Sequence, residues 1–481
     1  MSASRSGSRT ASHPAARTGV WLIGARGSVA TTVVAGCAAV TAGLHPATGM
    51  VTETPAFADA ALPALTDLVF GGHDTVDCPL PKRAEALAAG GVLPPGLPAA
   101  VHAELAAADR EIRPGGPLPG DHRDDAALIA AFAADLRDFV DRNGLDRAVV
   151  VNVASTEPAA ADGALPPSTL YALAALDAGC PYVNFTPSAG LHHPAAARRA
   201  ERGGLPYAGR DGKTGQTLLR AALGPMFAQR ALTVRAWSGT NLLGGGDGAA
   251  LADPEAAAAK NAGKERVLTD TLGTPVEGTV HIDDVPALGD WKTAWDHIAF
   301  DGFLGARMIL QTTWQGCDSA LAAPLVLDLA RLTARAHQAG RSGPLSALGF
   351  YFKDPVGEGP PGLSEQYADL LRFARTLVPA EPAGPARGET ADHGGGGGEG
   401  SPRDGAGGGA RGSGDAGRGA ARSSRDGGAD GARGSAGGGA GGGAGAGARG
   451  SARDGARGSG DGAGGGAAAG RDRDGRPGEG R

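Results

Sequence analysis

Apolar positions along the chain fall into short continuous runs bounded by glycine, the pattern of strands covered on both faces. Gly19–Ile23 (G-V-W-L-I) is the first such run, Ala148–Ala154 (A-V-V-V-N-V-A) another, and Pro181–Phe185 a third. Gly49–Glu53 reads as a second strand near the start. Helical stretches lie between them: an apolar helix through about Val40, then Asp124–Arg142 and Pro166–Gly179. Residues 60–125 are rich in Ala, Pro and Leu and show no clear period; His73, after Gly71-Gly72, reads as a turn residue. Beyond Thr217 the pattern changes. Ala231–Trp237, Gly278–Ile282, Ile298–Phe300 and Ala306–Thr312 suggest an antiparallel or mixed sheet. Asp318 starts a long apolar helix, Ser319–Gln338, and Leu348–Phe352 reads as the last strand.

Composition changes the picture only at the ends. Of 481 residues, those after about Pro379 are mostly Gly, Ala, Arg, Asp and Ser, and no Phe, Tyr or Trp follows Phe373. Such a tail has too little apolar surface to offset its ordering entropy and is expected to be disordered. Its Arg and Asp residues alternate, which favours a passive tail over a nucleic-acid-binding one. Residues 1–17 lack the apolar stretch of a secretory signal. The remaining residues suffice for a sizeable core and two domains. A net charge of −6 points to neither nucleic acid nor anionic lipid. No apolar run approaches the roughly 18 residues of a membrane span. Cys37, Cys78, Cys180 and Cys317 are scattered, as expected of reduced thiols in a cytoplasmic protein.

The first strand runs directly into Gly24-Ala-Arg26-Gly27-Ser28-Val-Ala30, with the spacing G-x-x-G-x-x-A. In this context it is a variant of the dinucleotide fingerprint, or an ordinary tight turn. Glu53 lies where an acid would accept from a ribose hydroxyl, or is a simple strand-end acid. Two later strands end in polar clusters, Ser155-Thr156-Glu157 and Asn184 with Thr186 and Ser188. Polar residues at the carboxyl ends of parallel strands favour a cofactor crevice. Ala208–Thr217 (A-G-R-D-G-K-T-G-Q-T) holds one lysine between glycines, one acid, Asp211, and the hydrogen-bonding residues Thr214, Gln216 and Thr217. Such a loop at a helix start suits an oxyanion, although the Walker spacing is absent. Asn241–Gly248 is a second polar glycine loop. Asp253-Pro254-Glu255 opens a helix bearing Lys260 and Lys264 on one face, an anion-holding pair or a solvated surface. Lys213, Lys292 and Lys353 complete a lysine set in a chain that otherwise prefers arginine. His192-His193 has no third ligand at a recognised spacing for a metal.

Taken together, W-L-I-G-A-R-G-S-V, V-N-V-A-S-T-E-P, Y-V-N-F-T-P-S, G-R-D-G-K-T-G-Q-T, N-L-L-G-G-G-D-G, G-D-W-K-T-A, F-D-G-F-L-G, A-A-P-L-V-L-D-L-A-R and F-Y-F-K-D-P, in this order, resemble the inositol-3-phosphate synthase (myo-inositol-1-phosphate synthase) family in its archaeal and bacterial pattern. The resemblance covers about Val20 to Phe373. It implies a Rossmann-type, doubly wound α/β domain from residues 18–217 and 318–378, with an inserted α+β catalytic and tetramerisation domain at 218–317. The implied reaction converts D-glucose 6-phosphate to 1D-myo-inositol 3-phosphate without net redox change, an intramolecular lyase/isomerase activity serving inositol and phospholipid biosynthesis. NAD oxidises C5, the C6 proton is lost, the enolate closes on C1, and C5 is reduced again. The implied cofactor is NAD, joined in some members by a divalent metal and in others by ammonium.

The resemblance implies that Thr214, Gly215, Gln216, Thr217 and Lys264 hold the substrate phosphate. It makes Lys260, Lys292 and Lys353 the catalytic lysines, with Lys260 moving a proton at the C5 hydroxyl and the other two holding the C5 and C1 oxygens. Asp211, Asp247, Asp290 and Asp318 orient lysines or cofactor. Gly24, Arg26, Gly27, Ser28, Glu53, Ser155, Thr156, Asn184, Thr186 and Asn241 fall on the nucleotide side. Departures are the missing G-x-G-G-N-N-G loop, Gly239-Thr240-Asn241 in place of Ser-Tyr-Asn, and Gly263-Lys264-Glu265 in place of Ser-Lys-Ser. The competing expectations are an NAD-dependent sugar-phosphate dehydrogenase and a non-catalytic nucleotide sensor. The lysine set argues against both, because hydride transfer needs fewer cations and sensing needs none.

Overall fold

A computed structural model describes residues 16–118, 120–157, 165–245 and 267–378. The expected tail and the helix bearing Lys260 and Lys264 lie outside them, as does Asp247.

Seven strands form one all-parallel sheet. In chain order these are β1 (Thr18–Ile23), β2 (Leu68–Asp74), β3 (Ile112–Pro114), β4 (Arg147–Asn152), β5 (Tyr182–Asn184) and β6 (Pro206–Gly209), completed by a late two-residue strand, Gly343–Pro344. The spatial order runs 3-2-1-4-5-6, with Gly343–Pro344 beside β6. This is the doubly wound Rossmann order, with its reversal between β1 and β4. Alternation along β1 feeds two separate cores. Val20 and Leu22 face one side, where α1 (Ser28–Thr41), α2 (Leu80–Ala89), α3 (Leu97–Ala100) and α4 (His102–Arg110) pack. Trp21 and Ile23 face the other, covered by α5 (Asp125–Asn143), α6 (Pro167–Asp177) and α7 (Pro194–Gly203). Because both faces are buried, the strands read as unbroken apolar runs.

After α8 (Gly215–Gln229) the chain leaves this sheet. β7 (Thr233–Leu243), β8 (Val280–Asp284), β9 (Trp291–Asp301) and β10 (Arg307–Cys317) form a second sheet in the order 10-9-7-8. β9 is antiparallel to both β7 and β10, while β7 and β8 are parallel. The mixed second sheet is as the sequence suggests. Its inner face packs Trp237 and Ile298 against Phe227 of α8. The chain then returns through α9 (Asp318–Gln338), which packs on α1 and so rejoins the first layer, and ends its described part in α10 (Leu363–Arg375).

Three readings need correction. Gly49–Glu53 is not a strand: Val51–Glu53 is a 3-10 turn. Its backbone is drawn out of the sheet by the buried carboxylate of Asp328, which accepts from Val51 N (2.7 Å) and Thr52 N (3.2 Å). His73 is not in a turn but near the end of β2, wholly buried, with Trp21 Nε1 donating to its Nδ1 at 2.9 Å. Burial holds its pKa below the ordinary value despite Asp135 at Nε2. The Gly71-Gly72 pair before it serves close packing. A Cβ at Gly72 would lie 2.1 Å from the Leu22 carbonyl oxygen. Finally, Leu348–Phe352 falls mostly in a 3-10 segment, Ser346–Tyr351.

Candidate active site

The glycine turn follows β1 at the sheet's reversal point. Gly24 has φ +82°, and a Cβ there would meet Ala154 Cα at 2.7 Å, in the loop after β4. Only glycine fits that approach. The turn hangs on β2: Gly24 N and Ala25 N both donate to the His73 carbonyl, at 2.9 and 3.1 Å. Gly27 is the N-cap of α1 and supplies no side chain to the first-turn N–H groups. An open, positively polarised helix end behind a glycine cradle is what a dinucleotide pyrophosphate requires, so these residues fit NAD.

The acid at the end of the second strand is Asp74, whereas Glu53 lies outside any strand. Asp74 ends β2 and accepts from Arg26 N at 2.6 Å and Val76 N at 2.7 Å. Glu53 sits in its 3-10 turn and pairs with Arg331 at 2.5 Å. The Arg26 guanidinium is also turned aside, bonding Asp109 and the Val76 carbonyl. Ser155 is exposed and Thr156 half-buried just past β4. Asn184 and Thr186 are buried in one network. Asn184 Oδ1 accepts from Asn152 (3.2 Å) and from Thr186 Oγ1 (2.9 Å), and its amide nitrogen donates to Ser188 O. They brace the crevice floor.

The segment Ala208–Thr217 runs from the end of β6 to the start of α8. Its backbone is stitched to residues 351–354: Lys213 N donates to Tyr351 O (2.8 Å), Lys353 N to Asp211 O (2.7 Å) and Arg210 N to Asp354 O (2.6 Å). This zipper brings Lys353 Nζ to 2.7 Å from Asp211 Oδ1, and both side chains are largely buried. Lys213 points the other way, into the core, where its Nζ donates to Gln366 Oε1 of α10 at 2.5 Å. Burial, and secondarily the charge of Lys353, depresses its pKa to about 8.

α8 begins at Gly215, and its N-cap Thr214 makes no side-chain cap, leaving a second open helix end. Asp318, the first residue of α9, stands over it, with Oδ1 3.6 Å from where a Gly215 Cβ would be. Lys292 Nζ donates to Asp318 Oδ2 at 2.8 Å. Two residues earlier, Asp290 Oδ1 accepts from Ser28 Oγ at 2.7 Å, at the start of α1. Buried Cys317 lies between these acids. Its thiol pKa is raised by burial first and then by Asp290 and Asp318. Ser28 of the cofactor turn, Asp290, Lys292, Asp318 and the start of α8 are thus linked in sequence by these contacts, and the Lys353–Asp211 pair lies on the segment that leads into α8. Thr217 is buried on the first turn of α8. The Gln216 side chain is engaged within the protein: its amide nitrogen donates to Asp296 (2.9 Å) and its oxygen accepts from Asn241 (2.8 Å). Asn241, fully buried on β7, keeps an Oδ1 with no partner among the described residues.

Asp296 was not anticipated. It is buried on β9 and accepts from Arg220 Nη2 (3.1 Å), Trp237 Nε1 (2.8 Å) and Gln216, tying α8 to the second sheet. A signal existed: Asp296 shares a strand face with Ala294 and Ile298, and an acid at an inward position must be paired. Among the described residues no group of three His, Cys, Asp or Glu side chains is placed to hold a metal ion. No helix of the described residues is long and apolar enough to cross a membrane.

Residues 18–375 match an NAD-binding family model described as myo-inositol-1-phosphate synthase. Inositol-3-phosphate synthase 1 of Bacteroides thetaiotaomicron is 33% identical over 71% of this chain and 90% of its own length. The human protein of the same name is 31% identical over 63% of this chain and 62% of its own length, so the chain spans less than two thirds of that relative. The fold is similar to the crystal structure of inositol-3-phosphate synthase from Caenorhabditis elegans, with a TM-score of 0.68, 22% identity, and 76% of this chain and 87% of that one covered. The open glycine cradle and the two carboxylate-held lysines thus sit in a chain that belongs to the myo-inositol-1-phosphate synthase family.

Proposed function

We propose that this protein is an inositol-3-phosphate synthase that converts D-glucose 6-phosphate to 1D-myo-inositol 3-phosphate. The observation that supports the reading is the Lys292–Asp318 pair at the start of α8, linked through Asp290 to Ser28 of the dinucleotide turn. Bound NAD supplies reversible hydride acceptance at C5, so the overall reaction is redox-neutral. The chain's own residues do the rest. The open N-terminus of α8, with Thr214, Gly215 and Thr217, holds the substrate phosphate. Lys292 and Lys353 set fixed positive charge against the oxygens at C5 and C1, where negative charge develops. Asp318 and Asp211 fix the direction of each ammonium through the 2.8 and 2.7 Å contacts. Gln216 acts on the loop's shape through Asp296 and Asn241. The resemblance assigns Lys260 to proton transfer at the C5 hydroxyl and Lys264 to the phosphate.

The domain division at residues 217 and 318, a homotetramer and a cytoplasmic location belong to the same reading. Support for assembly comes from apolar side chains at the β9–β10 end of the second sheet: Phe303 is 87% exposed, Leu304 90% and Ile309 64%. Patches of this kind mark interfaces, and light scattering on the eluting species reads the mass. Four free thiols suit a reducing compartment.

The deciding assay incubates purified protein with glucose 6-phosphate, with and without Mg²⁺ and chelator. We expect inositol phosphate to form while absorbance at the NADH band stays flat. Stoichiometric NADH accumulation would turn the assignment to a dehydrogenase.

A further inference from the structure

The arginine within the glycine turn does not serve an anion there, because the Arg26 guanidinium is bound to Asp109 and the Val76 carbonyl. Another arginine reaches the same corner. Arg83 lies in the first turn of α2 and sends Nη2 to Ser28 Oγ at 2.9 Å, at the first residue of α1. No carboxylate among the described residues lies within ion-pair distance of Arg83. A cation held at the positive end of a helix is disfavoured unless an anion joins them. The acid nearest along the hydrogen-bond chain is Asp290, whose Oδ1 accepts from the same Ser28 hydroxyl. It meets Arg83 only through that hydroxyl.

We propose that Arg83 is a cofactor-binding residue that grips the pyrophosphate of bound NAD together with the N-terminus of α1. The proposal rests on the NAD-dependent reading of the site. The guanidinium offers planar paired donors suited to phosphate oxygens and a charge that Arg26 does not deliver. It also offsets the Asp290 carboxylate across the Ser28 hydroxyl, so the approaching phosphates do not face that acid unscreened. The same chemistry would recognise a sugar phosphate, so the test must separate the two sources.

Calorimetric titration of the full chain and of Arg83→Met and Arg83→Lys, with ADP-ribose, adenosine and glucose 6-phosphate in turn, makes that separation. Thermal unfolding of each variant controls for folding. Arg83→Met should weaken ADP-ribose binding by about tenfold to a hundredfold, the range for one charge-assisted bond. Adenosine and glucose 6-phosphate affinities should stay within about twofold, and Arg83→Lys should recover part of the loss. Unchanged ADP-ribose affinity in a folded Arg83→Met variant overturns the assignment. So does an equal loss for adenosine, or a loss confined to glucose 6-phosphate. A wild-type chain that binds ADP-ribose through Arg83 yet makes no inositol phosphate sustains this assignment and defeats the synthase reading.

Discussion

In the seven-stranded sheet, Val149, Val150, Val151 and Val183 of the central strands are wholly buried between helices. In the four-stranded sheet, β10 turns Ile309 and Gln311 outward, and the inner face closes over an ion pair, Arg220–Asp296. The first sheet is held by non-directional apolar burial, the second by a hydrogen-bonded hub with little tolerance for loss. The difference follows the work each does. The parallel sheet presents backbone, as glycine turns and helix ends, to a cofactor. The mixed sheet holds a side chain, Lys292, in a fixed direction against Asp318.

The largest expected effect tests that contrast directly. Asp296→Ala removes a buried carboxylate that accepts from Arg220, Trp237 and Gln216 together, and should cost about 3–5 kcal/mol. Val151→Ala in the parallel sheet removes only buried methyl groups and should cost about 2 kcal/mol. Urea unfolding of both variants measures the gap; equal costs would mean that the hub does not hold the second sheet. Next is Lys292→Ala, expected to lower turnover by about a hundredfold to a thousandfold. NADH binding, followed by fluorescence, should stay near wild type, because Asp290 and Ser28 remain. Turnover at the wild-type rate would remove Lys292 from the chemistry.

The smallest effect concerns Lys213. Its folded-state pKa of about 8 lies below the ordinary 10.5, through burial first and Lys353 second. Between those values the unfolded chain binds a proton that the native chain has lost, so this group makes the native state more stable as pH rises through the window. The gain is on the order of 2–3 kcal/mol. Wild-type stability minus that of Lys213→Met should therefore climb between pH 7.5 and 10. A flat difference would place the ammonium in better-solvated surroundings.

What could be read from the sequence was whatever is contiguous. The strand–glycine–helix start, the loop Ala208–Thr217 and each strand of the mixed second sheet announce themselves within a dozen residues. The acid at the end of the second strand did not. An acid is expected about 20 residues after the glycine turn, which favoured Glu53. Here a series of 3-10 turns delays β2, so the acid at its end is Asp74. Gly71-Gly72 looked like a turn because a close strand approach and a turn both exclude a Cβ. Leu348–Phe352 was an apolar run too short to separate strand from helical turn. Gln216 looked like a phosphate ligand from its neighbours, but its partners Asp296 and Asn241 are brought by strands 80 and 25 residues away. Local pattern carries no information about such long-range pairing.

The seam between residues 210–213 and 351–354 is made by peptide groups. Any amino acid other than proline supplies the same N–H and C=O, so a substitution at Arg210 keeps its two backbone bonds to Asp354 and loses the side-chain pair with that carboxylate. The spacing of Asp211 and Lys353 is thereby insulated from much of the mutational noise around it. The same freedom does not extend to Gly212, where a Cβ would lie 2.2 Å from the Phe185 ring, so the seam tolerates change at its side chains but not at its closest approach.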